Sequence, residues 1–162
     1  MKQDKKPFWE IKSLKQMTKK EWELLCDNCG ICCLFKIEDE TSGVLYYTNV
    51  TCKMFDLKTN RCFNYRDRSK LVPLCVKLTI KESDKFSLLP KTCSYRRLYE
   101  GKKIPSWHPL ITGKQESVKE SGLDIKSIAI KEYDIDLDLI ENQVIHKEIT
   151  SYIKEKTKNQ QT

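Results

Sequence analysis

The clearest helical pattern of hydrophobic positions lies near the beginning of the chain. Thr18 and Glu21 have the spacing of a capping box, so a helix is predicted to begin directly after Thr18. The apolar face of this helix, at the spacing i, i+3, i+4 and i+7, consists of Trp22, Leu25, Cys26 and Cys29. Gly30 is its predicted end, because glycine readily takes the left-handed conformation that follows a helix.

The end of this helix leaves two arrangements of the cysteines open. If the helix stops at Gly30, the chain loops and Cys26, Cys29 and Cys32 converge, as in a ferredoxin-type metal knuckle. If it continues, Cys33 lies on the same face as Cys26 and Cys29, while Cys32 points aside. We favour the loop, and in both arrangements the neighbouring Cys32 and Cys33 are expected to serve different roles.

Short strands and turns follow the cysteine-rich segment. Residues 34–38 and 44–48 predict a short hairpin around a turn-rich connection. Residues 49–89 contain mostly turn signals, so bound ligands are expected to fix this backbone more than long secondary structure does.

Later segments predict a few further elements. A second helix is predicted over 93–100, and residues 104–113 form an extended segment bounded by prolines. Residues 123–130 predict a strand. From about residue 135 the pattern is that of a polar amphipathic helix, with a disordered end predicted near Thr157.

These elements predict a small α+β fold, an irregular, metal-stapled cysteine domain with short helices, a short hairpin and a C-terminal helical tail. The predicted division is a metal-binding domain over 1–135 and a polar helical tail over 136–162. A chain of 162 residues, 39% hydrophobic and 33% charged, fits one soluble domain with a modest core. Bound metal would help to stabilise such a core.

Charge and hydropathy argue against a membrane span and a secretory signal. The lysine-rich beginning is not followed by an apolar run, and no stretch approaches the roughly 20 apolar residues that a span needs. We therefore predict a cytoplasmic protein. The formal charge of +7 comes mostly from dispersed lysines, which indicates a solvated basic surface more than a nucleic-acid footprint. No protein partner is indicated.

The cysteines carry the strongest chemical signal. Half of the eight fall in one short run with the order C-x2-C-x2-C-C, a spacing that supplies several ligands to one metal ion or iron–sulfur cluster. A reducing compartment disfavours disulfides, so metal thiolates are predicted. The predicted ligands are Cys26, Cys29, Cys32, Cys33, Cys52, Cys62, Cys75 and Cys93. Two four-cysteine sites, or one cluster with spare thiols, would suit this number, and zinc and iron–sulfur both stay open, with iron favoured slightly at one site.

Histidine and arginine supply weaker candidates. His108, between Trp107 and Pro109, is a candidate ligand, proton donor or partner of a ligand, although packing in a rigid corner is the favoured interpretation. Every arginine lies inside or just after the cysteine region, where it could offset thiolate charge, bind an anionic substrate or simply lie at the surface. These residues are Arg61, Arg66, Arg68, Arg96 and Arg97.

Several motifs accompany the cysteines between residues 7 and 135. They are Pro7-Phe8-Trp9, Trp22-Glu23-Leu24-Leu25-Cys26-Asp27-Asn28-Cys29-Gly30, Tyr47-Thr48-Asn49-Val50, Cys62-Phe63-Asn64-Tyr65, Leu88-Leu89-Pro90 and Trp107-His108-Pro109-Leu110. Together with the cysteine order, this set resembles the YkgJ-like CxxCxxCC family, and most closely its YcgN-like bacterial branch. The resemblance implies a domain that chelates zinc or iron through the eight cysteines, while the residues after about 136 depart from it.

Three functions are compatible with these features. The leading hypothesis is a cysteine-rich protein that holds one or two zinc or iron–sulfur centres needed for folding. A related cysteine domain in flagellin lysine methylases makes an iron–sulfur-dependent redox or group-transfer enzyme the second hypothesis, with His108 and one of the arginines Arg66, Arg68 and Arg96 near the open site. The third is a metal-stapled module that binds RNA or another protein, although aromatic and basic residues do not alternate here as in known RNA-binding motifs.

Overall fold

Short elements joined by turns build the chain. The computed structural model describes residues 6–160. Its α-helices are α1 (Phe8–Ile11), α2 (Lys19–Glu23), α3 (Arg68–Leu71), α4 (Ser94–Tyr99), α5 (Pro109–Thr112), α6 (Ser117–Glu120) and α7 (Ile149–Asn159). Its strands are β1 (Leu34–Glu38), β2 (Leu45–Thr51), β3 (Phe55–Asp56), β4 (Arg61–Cys62), β5 (Ile130–Lys131) and β6 (Val144–Ile145). Its 3₁₀ segments are Leu14–Gln16, Ile31–Cys33, Ile80–Leu88, Ile125–Ser127, Glu132–Asp134 and Leu137–Gln143.

Strand β2 is the centre of the larger sheet. It pairs antiparallel with β1 in a hairpin, and two short strands from late in the chain also pair with it. Strand β6 pairs antiparallel at Thr48, and β5 pairs parallel at Val50. A separate antiparallel pair, β3 and β4, places Phe55 opposite Cys62. The predicted small α+β fold is confirmed.

Two clusters of buried side chains form the interior. The first core consists of Cys29, Ile31, Leu34, Phe55, Val118, Leu123, Ile125, Ile128, Ile145, Ile149 and Ile153. The second core consists of Leu14, Leu25, Phe86, Leu89 and Tyr95. The cysteine-rich segment therefore passes from the second core, at Leu25, to the first core, at Ile31.

The capping box of α2 is confirmed, but the predicted length of this helix is wrong. The hydroxyl of Thr18 accepts the N–H of Glu21 at 3.3 Å, and the Glu21 carboxylate accepts the N–H of Thr18 at 2.8 Å. The helix ends at Glu23, well before its predicted end. Leu25 then enters the second core and Asn28 takes a left-handed φ of 60°, so the first two cysteines lie on an irregular segment.

The hairpin and the second helix are confirmed close to their predicted bounds. Strand β1 has the predicted bounds, and β2 continues to Thr51. Residues 49–89 are mostly irregular, as predicted, with short elements between their turns. Helix α4 begins at Ser94, which makes Cys93 its N-cap residue.

Two predictions for the following segments need correction. Residues 104–113 are not extended throughout, because His108 caps the short helix α5 by accepting a backbone N–H. The strand predicted over 123–130 is mostly turn and 3₁₀ helix, and only its last residue, Ile130, joins β5. Its apolar side chains pack into the first core, and this burial supplied the strand-like pattern.

The last part of the chain is packed, and its helix begins later than predicted. Strand β6 and a 3₁₀ segment precede α7, which starts at Ile149 rather than near residue 135. Thr157 is buried and its hydroxyl donates to the carbonyl of Gly122 at 3.2 Å, so α7 is packed where disorder was predicted. The division between 1–135 and 136–162 stays a prediction. No helix among residues 6–160 is both long enough and apolar enough to cross a membrane.

Candidate metal centre

The clustered cysteines lie on a tight loop, residues 26–33, which we call the knuckle. Asn28 and Gly30 bend it with left-handed φ values of 60° and 79°. The carboxylate of Asp27 accepts the N–H of Cys29 at 3.2 Å and supports the first bend. A 3₁₀ turn over Ile31–Cys33 then leads into β1. Of the two arrangements open from the sequence, the continuous helix is therefore wrong.

Gly30 meets two requirements at the bend. Its φ of 79° favours glycine, since other residues are strained there. A β-carbon at this position would lie 2.5 Å from Phe55 Cζ and 2.6 Å from Ile125 Cδ1. The knuckle backbone is thus pressed directly against the first core.

Two side chains from later in the chain hold carbonyl groups on either side of the first cysteine. Nε2 of His108 lies 3.0 Å from the carbonyl oxygen of Leu25, and Nδ1 accepts the N–H of Leu110 at 3.0 Å. Because Nδ1 is an acceptor, the neutral ring carries its proton on Nε2 and donates it to Leu25. The side-chain amide of Gln115 donates to the carbonyl of Asp27 at 2.8 Å.

These contacts use both ring nitrogens of His108, which is fully buried. Neither nitrogen is free in this arrangement to bind a metal ion or to move a proton to a substrate. The geometry favours the interpretation that His108 is a buried packing residue. Its hydrogen bond to the carbonyl of Leu25 also positions the knuckle. Its candidacy as a catalytic residue stays a prediction without support from these contacts.

Cys26, Cys29, Cys32 and Cys93 act on one another electrostatically, and we call them the first thiol set. Cys26 is an exposed residue, but protein atoms surround its sulfur. This desolvation raises the pKa of the Cys26 thiol, and the charges of Cys32 and Cys93 raise it further. Burial also raises the pKa of Cys29, and the charges of Asp27 and Cys32 add to the effect. Burial, followed by Cys32, raises the pKa of Cys93 to about 12. These three groups are therefore neutral thiols near pH 7.

Cys33, Cys52, Cys62 and Cys75 form the second thiol set. The backbone joins its first two members, since the N–H of Cys52 donates to the carbonyl of Cys33 at 3.0 Å. Burial raises the pKa of Cys52, with a contribution from Cys62. Burial likewise raises the pKa of Cys75, and Cys52 and Cys62 contribute in the same direction.

The two sets meet at the adjacent Cys32 and Cys33. A hydrogen bond from Cys33 lowers the pKa of Cys32 to about 7, while the same bond and burial raise the pKa of Cys33. Cys32 also raises the pKa of Cys75, which places it within electrostatic reach of the second set. The adjacent Cys32 and Cys33 therefore differ in the pKa of their thiols and in the cysteines that act on them electrostatically.

The thiols of each set influence one another electrostatically, but they do not form a closed coordination geometry. All eight are free thiols. Within the described residues, no three side chains of histidine, cysteine, aspartate or glutamate are already arranged to hold a metal ion. Binding by four thiolates would therefore require cysteine side chains to rotate from these positions.

The arginines divide between electrostatic and structural roles. The positive charge of Arg68 lowers the pKa of Cys75. Arg96 instead donates to two carbonyl groups of residues 87–89, at 3.0 and 2.7 Å, and Arg97 donates to the carbonyl of Lys103 at 2.6 Å. The other two arginines are exposed.

The sequence analysis missed two residues that contact the knuckle, Lys36 and Gln115. The ammonium of Lys36 donates to the carbonyl of Cys32 at 3.0 Å. A spacing of four residues from Cys32 was the signal available for Lys36, but the hairpin register was needed to interpret it. Gln115 lies far from the knuckle in sequence, and no local pattern marked it.

Comparison with known proteins adds to this geometry. A family model, CxxCxxCC, described as "Putative zinc- or iron-chelating domain", matches residues 25–94, which contain every cysteine. A UPF0260 protein of Caulobacter sp. (strain K31) is 49% identical over 128 residues, 79% of each chain. UPF0260 proteins of Pseudomonas entomophila and Photorhabdus laumondii are 44% and 46% identical, over 91% and 80% of this chain and 99% and 90% of theirs. No solved structure matches the chain significantly.

Proposed function

We propose, since the chain belongs to the UPF0260 family, that its cysteines bind two zinc or iron centres, one at each thiol set. The observation that carries the proposal is that the thiols of each set influence one another's pKa values, so that they lie in the same region of the fold. The family description supports chelation of zinc or iron. Four thiolates suit both zinc and an iron–sulfur cluster.

The chemistry of the donors supports a bound cation. Burial raises the pKa of Cys29 and Cys93, so an isolated thiolate is costly at either position. A metal cation that replaces the thiol protons would remove this cost.

In this proposal the centres hold together a chain with little regular structure. The first set would fix the knuckle to the beginning of α4, and the second would fix the irregular region to the hairpin. Metal binding would then contribute directly to the free energy of folding. We place the protein in the cytoplasm, where reducing conditions keep thiols free.

An iron–sulfur enzyme is the second candidate, and one observation favours it for the first set. Cys26 and Cys32 are exposed residues, whereas Cys29 is buried, so a centre there would lie close to the protein surface. A cluster close to the surface can exchange electrons with a redox partner more readily than a deeply buried one.

The test is the metal content of protein purified without oxygen. We expect stoichiometric zinc or iron at both sets in the parent. Cys29→Ser should lose the metal of the first set, and Cys52→Ser that of the second. Ser69→Ala, an exposed substitution between Cys62 and Cys75, is the control and should keep both.

Two results would contradict the proposal. A folded parent without stoichiometric metal would remove its basis. If Cys29→Ser and Cys52→Ser each abolished all metal binding while staying folded, the thiols would form one shared centre. Absorbance near 400 nm with bound sulfide, roughly as expected of thiolate-held clusters, would favour the enzyme candidate.

A further inference from the structure

The hairpin register places one lysine against the knuckle. Lys36 of β1 lies directly opposite Tyr47 of β2, and the pairing of β1 with β2 is irregular between Leu34 and Lys36. The Lys36 ammonium donates to the carbonyl oxygens of Cys32 at 3.0 Å and Leu34 at 3.1 Å. It also lies 4.9 Å from the centroid of the Tyr47 ring. Carbonyl groups and an aromatic face therefore hold this cation in one place.

The position fixes the ammonium at the peptide group that joins Cys32 to Cys33, where the two thiol sets meet. Partial burial lowers the pKa of Lys36, while the charges of Cys32, Cys33 and Cys75 act in the opposite direction. Cys32 belongs to the first set, and the other two belong to the second. One fixed cation therefore lies where a member of the first set is joined to a member of the second.

We propose that Lys36 is a positioning residue that offsets the thiolate charge of both centres and so raises their affinity for metal. The inference rests on the proposed function and adds a residue that is not itself a ligand. A divalent ion with four thiolates carries a net charge of about −2, and two such centres within one small domain repel each other. An ammonium fixed at the peptide group between Cys32 and Cys33 is attracted to this charge, which metal binding creates when it replaces the thiol protons.

The test is competition for zinc between the reduced protein and a chromophoric chelator. Lys36→Met and Lys36→Gln remove the charge, and each should weaken zinc binding at both sets by about tenfold or more, as loss of a group that supports metal ligands usually does. Lys36→Arg keeps the charge and should stay within about twofold of the parent.

Lys154→Met is the matched control. Lys154 is half-buried like Lys36, and its ammonium lies at the same distance, 4.9 Å, from an aromatic ring, that of Trp107. Removal of its charge should leave zinc affinity unchanged. The comparison separates the position of Lys36 from a general loss of positive charge.

The outcomes are distinguishable. If the parent binds zinc at both sets and Lys36→Gln binds it as tightly, a neutral hydrogen-bond donor suffices and the inference is wrong. If the parent binds no zinc, the proposed function fails first and the inference with it. Should Lys36→Met not fold, as judged by circular dichroism, the comparison of Lys36→Gln with Lys36→Arg still decides the question.

Discussion

The two thiol sets are built in different ways. The first takes three members from one short loop, whose backbone His108 and Gln115 hold from outside. The second takes each member from a different place, namely the end of the knuckle, the residue after β2, strand β4 and the irregular region before residue 80. A site gathered from distant segments exists only after those segments have met, and this costs more loop-closure entropy. We therefore expect the second set to depend on the global fold and the first set to depend on its local supports.

Gly30→Ala is expected to have the largest effect on stability, because Gly30 lies in the knuckle, which contributes cysteines to both sets. Gly30→Ala forces a β-carbon against Phe55 and Ile125 and adds the strain of a left-handed φ. We expect a loss of about 3 kcal/mol or more in the free energy of unfolding, from overpacking and backbone strain together. Urea denaturation monitored by circular dichroism measures it. Metal binding should fall at both sets, since the knuckle carries Cys32 and Cys33.

Gly101→Ala is the control for this substitution. Gly101 also has a left-handed φ, 71°, but a β-carbon there would meet no atom within 4 Å. Its cost should be limited to conformational strain, about 1 kcal/mol. Equal losses for both variants would mean that close packing at Gly30 has no part in its role.

A smaller and more selective effect is expected from His108→Ala. The substitution leaves the carbonyl of Leu25 and the N–H of Leu110 without their buried partner, at a cost of about 2–3 kcal/mol. Because this contact supports the backbone beside Cys26, zinc affinity should fall at the first set and stay near the parent value at the second. Zinc competition in the Cys52→Ser and Cys29→Ser backgrounds separates the two sets.

His146→Ala is the corresponding control, since His146 is exposed and its ring lies against Tyr46, 5.4 Å between centroids. It should change neither stability nor zinc affinity measurably. An equal loss of affinity at both sets in His108→Ala would show that the first set has no special dependence on this anchor.

The smallest expected effect is a difference in pH dependence. Raised pKa values keep Cys26 and Cys33 protonated near neutrality, so metal binding releases protons and affinity rises with pH at both sets. Cys32, with a pKa of about 7, releases its proton on binding only below that pH. For the first set, the slope of log affinity against pH should fall by about one as pH rises through about 7.

The second set should show no such break there, because the pKa of Cys33 is raised. Zinc competition between about pH 6 and 8 in the two single-set variants checks this prediction. A break in the second set instead of the first would reverse the assignment of Cys32 and Cys33.

Predictions from the local sequence were confirmed where contacts between residues close in sequence determine the structure. Thr18 and Glu21 marked the start of α2 because a capping box is a contact between residues three apart. Residues 123–130 were mistaken for a strand because their apolar side chains face a core that the local pattern does not describe. The length of α2 was wrong for a related reason, since burial of Leu25 in the second core turns the chain away from a helical path.

The chemistry of the candidate site is predicted from the sequence alone, through the C-x2-C-x2-C-C run, its glycine bend and the other four cysteines. The sequence also determined the hairpin and the α+β character, because alternation and capping are short-range properties. The contact between the two ends of the hairpin depends on tertiary structure, because the backbone hydrogen bond that joins Cys33 to Cys52 requires the register of β1 and β2. Tertiary structure alone placed Lys36 and His108 beside the knuckle, because those contacts depend on strand register and on packing between distant segments.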